Sequence, residues 1–264
     1  MKTSLAVCRK TRTWLWVGLC LSVVALSQLI PAAPAQAVTI TWNFQSGSST
    51  PSTSSGTGYG NIYTFTADGI MVTVTAWGLT GSSGTTFQTA ALARTATGLG
   101  SCNRGEGASC TGNSQRVDDN SQLEFLLFQF SATVDLKQIV LHPGGTSFDR
   151  DVSYWVGDLS GSLNGLGLSG LAGLGFGSRQ DVLNSAGSSA LTLSLTGSDV
   201  TSLLFGARAA LSPSTAEDDR FYIRSLTDDL PTPVAEPGTL IVLGAALLAM
   251  GLGIRQRASS GIRS

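Results

Sequence analysis

The chain has 264 residues, 16 basic and 17 acidic, with 12% charged residues and 32 glycines. Four basic residues fall in the first 37 positions and three in the last ten, leaving nine between them against all 17 acids, a net of about −8 for that middle region. So acidic a surface disfavours nucleic acid and anionic membranes as partners, and it suits divalent cations.

The N-terminus reads as a secretory signal peptide over residues 1–37. Lys2, Arg9, Lys10 and Arg12 form a positive region, and Trp14 to Ile30 is uncharged and mostly apolar. Pro31 and Pro34 stop any helix that continues from it. Ala35-Gln36-Ala37 then offers small residues where a signal peptidase needs them, so cleavage is expected after Ala37.

From Val38 to about 230 the periodicity is that of strands. Val38, Ile40, Trp42 and Phe44 alternate with polar residues and share one face. Ser46 to Gly60 is a Ser/Thr/Gly segment expected to be a loop. Ile62–Phe65 and Ile70–Trp77 form a hairpin turning at Ala67-Asp68-Gly69. Phe87–Arg94 is a further strand. Leu123–Phe130 is apolar on both faces, which predicts a central strand covered on each side. A turn at Ser131-Ala132-Thr133 leads to its partner, Val134–Leu141. Val152–Val156, Leu191–Leu195, Leu203–Ala207 and Phe221–Leu226 complete the set. Between them, Ser160 to Gly177 interleaves seven glycines with five leucines, opposing a regular helix and predicting a packed loop pinned by its leucines. Many short strands with Gly and Ser turns argue an all-β fold, an antiparallel sandwich or jelly roll.

Cys102 and Cys110 are the cysteines left after the leader. An even pair in an oxidising compartment predicts a disulfide closing a nine-residue loop, worth roughly 2.5 kcal/mol through loop entropy. Two thiolates and one histidine are too few for a zinc site.

The C-terminus, residues 231–264, is a tripartite tail. Pro231 to Pro237 is a proline-rich spacer, Thr239 to Ile254 is a 16-residue uncharged run, and Arg255 and Arg257 follow. As a helix the run spans roughly 24 Å, short of the roughly 30 Å hydrocarbon core. The arginines place its end in the cytoplasm, with the domain outside. Glu236-Pro237-Gly238-Thr239-Leu240, the apolar run and Arg255-Gln256-Arg257 resemble the PEP-CTERM sorting signal, with Ala235 in place of the usual first proline. The resemblance implies an exosortase as processing partner, a short transmembrane helix as transient anchor, and a surface or extracellular destination near extracellular polysaccharide. A second resemblance covers Gly98–Gly107, Val117–Asn120, Phe128–Ser131 and Trp155–Asp158. These segments are similar to an ectodomain of exosortase-dependent surface proteins, a β domain with no established catalysis.

The residues organise no catalytic constellation. The lone histidine, His142, stands before Pro143-Gly144 and reads as a solvent-facing turn residue; no Gly-x-Ser-x-Gly elbow supports a Ser-His-Asp site. No spacing singles out a glycosidase pair of carboxylates. No cofactor is expected; calcium is the sharper alternative, because it takes six to eight oxygens and loop Asp/Asn runs supply them. The candidate ligands are Asp118, Asp119, Asn120, Asp149 and Asp151, with Glu106, Asp158 and Glu217-Asp218-Asp219 nearby in type. The bland alternative is solvated turn residues. The expected function is a non-enzymatic surface or matrix protein; the alternative is a lectin-like module stacking sugars on Trp77, Tyr154 or Trp155, the bland reading of Trp42 and Trp155 being core. A hydrolase is the weakest reading.

Overall fold

The computed structural model describes residues 38–82, 84–120, 122–145, 149–209 and 219–230. The signal peptide and its cleavage after Ala37, the motif Glu236-Pro237-Gly238, the apolar run 239–254 and the basic end lie outside the described residues. Among the described residues, no helix is long and apolar enough to cross a membrane.

The domain is all-β. Its strands are β1 (Val38–Asn43), β2 (Ser52–Ser55), β3 (Ile62–Ala67), β4 (Ile70–Gly81), β5 (Thr86–Thr89), β6 (Ala91–Arg94), β7 (Leu99–Cys102), β8 (Val117–Asp118), β9 (Glu124–Pro143), β10 (Val152–Gly157), β11 (Gln180–Val182), β12 (Leu191–Ala207) and β13 (Arg220–Leu230). They join in one 13-stranded sheet whose ladders are antiparallel.

β9 organises the sheet. One of its edges pairs with β12 from Phe125 to Leu141. Its other edge pairs first with β4, over Glu124 to Phe130, and then with β13, over Asp135 to Pro143. The expected turn at Ser131-Ala132-Thr133 is therefore absent. The three residues are exposed and mark where β9 changes neighbours; Ser131 Oγ accepts the Met71 N–H at 3.0 Å. The β12 ladder shifts register between Ser194 and Ser202, beside this crossing, so bulges absorb the bend without reversing the chain. For the same reason the two strands expected at 191–195 and 203–207 are one, β12.

Local chemistry sets the rest. Asp68 (φ 46°) and Gly69 (φ 81°) join the Ala67–Ile70 pair, a two-residue turn of the type whose twist matches a hairpin. The strand expected over 87–94 is two: β5 pairs with β4, β6 pairs with β7, and Ala90 between them donates its N–H to Ala76 O at 2.9 Å. Within the expected Ser/Thr loop, Ser52–Ser55 forms a strand because β3 leaves an edge open. Thr53 and Thr64 hydroxyls hydrogen-bond across that pair.

Two apolar clusters lie on opposite faces of β9. Leu126, Phe128 and Phe130 point into the larger one, Phe125 and Leu127 into the smaller. This is why 123–130 is apolar on both sides. In the larger cluster, β1 and the residue after it also meet strands other than their ladder partner: Phe44 meets Phe65 at 4.9 Å and Trp42 meets Phe130 at 5.5 Å between ring centroids. Val38 is 53% exposed and does not join Ile40, Trp42 and Phe44 in it. The smaller cluster is roofed by the Gly/Leu segment. Leu163 and Leu171 are buried against Phe125, Leu127 and Trp155, so the leucines pin it as expected. It differs in containing a 3-10 helix, Leu168–Leu174, closed by Gly175 in the left-handed region. Phe87 and Leu166 tie the segment to β5 by a backbone bond of 2.8 Å.

Candidate functional site

Polar groups buried in a β domain need partners. Here most of the buried acids converge where β8, the start of β9 and the start of β13 meet. They fall into two groups.

The first group is Glu106, Asp118 and Glu124. Glu124 opens β9 with no exposed surface, and its Oε2 accepts the Asp118 N–H at 3.3 Å. Asp118 is also buried; its Oδ1 accepts the Asn120 N–H at 3.1 Å. Glu106 is held from the other side, its Oε2 accepting from Asn103 N–H at 3.1 Å and Asn103 Nδ2 at 3.2 Å. Asn103 follows Cys102, which is joined to Cys110 by a disulfide. The disulfide thus fixes the loop that presents Glu106. Burial, and then the charges of Asp118 and Glu106, push the Glu124 carboxyl well above the usual range. Asp118 is pushed up to about 7 by burial and then by Glu106, with Arg220 opposing.

The second group is Asp149, Asp151 and Asp219. One carboxylate oxygen from each lies within 4.8 Å of the other two. An isolated parallel bridge joins Asp149 to Asp219, and the Arg220 N–H donates to Asp149 O at 3.1 Å. Asp219 Oδ1 accepts the Asp151 N–H at 2.8 Å. Asp151 Oδ1 accepts the Asn184 N–H at 2.6 Å, and Arg208 pairs with its Oδ2 at 3.2 Å. Asp119 adjoins this group, its Oδ1 accepting the Asp219 N–H at 3.0 Å. Burial, and then the hydrogen-bonding contact with Asp149, push Asp219 up to about 10.

Comparison with protein-family models, with curated proteins and with solved structures finds no match. The arrangement of the acids is therefore the guide to their chemistry.

The expected ligands separate between the two groups. Asp149 and Asp151 come together, Asp119 lies beside them, and Asp118 turns to Glu124; Asn120 serves Asp118 through its backbone. Asp158 sits elsewhere, holding the Thr201 N–H and hydroxyl at 3.0 and 2.9 Å. Glu124 was not among the expected ligands, and Asp219 was named only with the acidic run it ends. Their signals were that run and a single acid inside an otherwise apolar strand. His142 is not a turn residue: it lies half-buried near the end of β9 with its ring against Tyr222 at 6.5 Å. Trp77, Tyr154 and Trp155 are 8, 3 and 5% exposed and belong to the apolar clusters, so none offers an open face to a sugar ring.

Proposed function

We propose that the chain is an exported, non-enzymatic surface or matrix protein, sorted through its C-terminal tail by an exosortase into the extracellular polysaccharide layer. Its domain over 38–230 is a jelly-roll-like β-sandwich, the leader 1–37 is removed after Ala37, and 239–254 is a short membrane helix that anchors the chain until processing.

The observation that carries this reading is the order of features in the tail: Glu236-Pro237-Gly238, then 16 uncharged residues, then Arg255 and Arg257. The Cys102–Cys110 disulfide supports it, because such bonds persist in oxidising compartments. The sandwich reading is supported by ring contacts that pack β1 onto β3 and β9, although β1 pairs with β13.

The test is intact-mass analysis of the chain expressed with and without an exosortase. The expected product begins at Val38 in both cases and ends near Pro237 only when the exosortase is present. A C-terminus at Ser264 under both conditions would overturn the sorting reading. Replacing Glu236 and Pro237 by alanine is expected to abolish the exosortase-dependent cut.

A further inference from the structure

The Asp149, Asp151 and Asp219 group differs from an ordinary acidic turn in two ways. Asp149 and Asp219 are buried, at 7 and 4% exposure. In addition, Asp149 Oδ1 is sealed from solvent and receives no hydrogen bond, although its carboxyl faces that of Asp219. An ionised carboxylate taken out of water needs donors or a cation. Donors are present for its neighbours but not for this oxygen. Asp151 Oδ1 has the Asn184 N–H, Asp151 Oδ2 has Arg208, and Asp219 Oδ1 has the Asp151 N–H. Each such oxygen keeps a second lone pair. The Arg150 guanidinium feels the Asp149 charge but makes no hydrogen bond to this oxygen, its Nη1 donating to Ser189 O at 2.6 Å.

We propose that Asp149, Asp151 and Asp219 bind one hard divalent cation, calcium in preference to magnesium, which clamps the start of β13 to the segment entering β10. Calcium holds oxygens at about 2.3–2.6 Å, so two of its ligands stand at most roughly 5 Å apart. The three carboxylates meet that limit, lying within 4.8 Å of one another. Magnesium requires about 2.0–2.1 Å and near-ideal octahedral geometry, which a set spanning two chain segments fixed by backbone bonds meets less well. Water and backbone carbonyls complete the shell. The site does not depend on the sorting reading: it belongs to the folded domain and exists whether or not the tail is processed.

The backbone already prepares the clamp. The Asp149–Asp219 bridge, the Arg220 N–H to Asp149 O bond and the Asp219 N–H to Asp119 bond bring the segments together. The cation would join their side chains at the same place.

The test uses the purified full chain, stripped with a chelator and titrated calorimetrically with calcium chloride, with magnesium chloride in parallel. One calcium per chain is expected. At 100-fold excess over its dissociation constant the thermal midpoint should rise by roughly 5–10 °C, with a smaller rise for magnesium at the same concentration. The Asp149→Asn/Asp219→Asn double variant is expected to lose the response while folding without metal, since it removes two facing carboxyls. Backbone hydrogen exchange of the unmodified chain gives a reading independent of any variant. Calcium should slow the Asp151 and Arg220 amides at least tenfold and leave the β2–β3 pair unchanged. Absence of binding by the unmodified chain, equal binding by the double variant, or protection away from residues 149–151 and 219–220 would each overturn the proposal. A proton shared by Asp149 and Asp219 in place of a cation would show itself as the first of these.

Discussion

Glu124 has no exposed surface, and the charges that act on it are those of two more acids, Asp118 and Glu106. Such a carboxyl stays neutral by keeping its proton, and this links folding to pH. In the unfolded chain a glutamate titrates near 4.3; in the folded chain Glu124 titrates well above its ordinary value, and Asp118 at about 7. Between those values the folded chain holds protons that the unfolded chain has released. The stabilisation is therefore complete below the unfolded value and is lost as pH rises through the folded one. The thermal midpoint in chelator is expected to fall between pH 5 and pH 8. Glu124→Gln should flatten that fall, because its amide oxygen still accepts the Asp118 N–H and its amide does not ionise. At pH 8 the variant is expected to gain stability on the order of 1 kcal/mol. An equal loss at both pH values would show that Glu124 is held for its shape and not its proton. Glu124 was visible in the sequence only as one acid in an apolar run, with nothing there to show that Glu106 and Asp118 surround it. Asp149 and Asp151 were legible as a pair because they are two residues apart, whereas Asp219 reaches them across 68 positions through the pairing of β13.

At the scale of elements, the features set by neighbouring residues were readable and those set by distant ones were not. Alternation placed Ile40, Trp42 and Phe44 on one buried face, and Asp68-Gly69 announced its hairpin. Leu123–Phe130 announced cover on both sides without saying that the Gly/Leu segment supplies one cover. The continuity of β9 and β12 was hidden, since three small exposed residues in mid-strand look like a turn until a second long strand is seen beside them. Glycine substitutions separate local from tertiary demands. Gly69 sits at φ 81° with open space around it, so Gly69→Ala costs only backbone strain, about 1 kcal/mol. Gly206 pairs with Phe125 where β12 crosses β9, and a Cβ there would lie 2.2 Å from Glu124 O. Gly206→Ala should cost about 3 kcal/mol by forcing the two longest strands apart. Urea melts of both variants check the order, and a Gly206 variant no weaker than the Gly69 variant would mean that the crossing is looser than its packing indicates.

On the scale of the whole molecule, the Cys102–Cys110 bond links stability, acidity and compartment. It closes a nine-residue loop, for which chain entropy gives roughly 2.5 kcal/mol. Its position gives it a second role. Asn103, immediately after Cys102, holds Glu106 by two hydrogen bonds, and Glu106 in turn raises both Glu124 and Asp118. Cleaving the bond should release that loop and move Glu106 away from the buried pair. Two effects are therefore expected for Cys102→Ala/Cys110→Ala, measured by urea melts at pH 5 and pH 8 in chelator. Stability should fall at both pH values, by about 2–3 kcal/mol at pH 8. The fall should be larger at pH 5, because the proton-linked stabilisation that Glu106 helps create is present there and already reduced at pH 8. A loss of the same size at the two pH values would leave the disulfide as a loop staple alone, with Glu106 held in place by Asn103 without it.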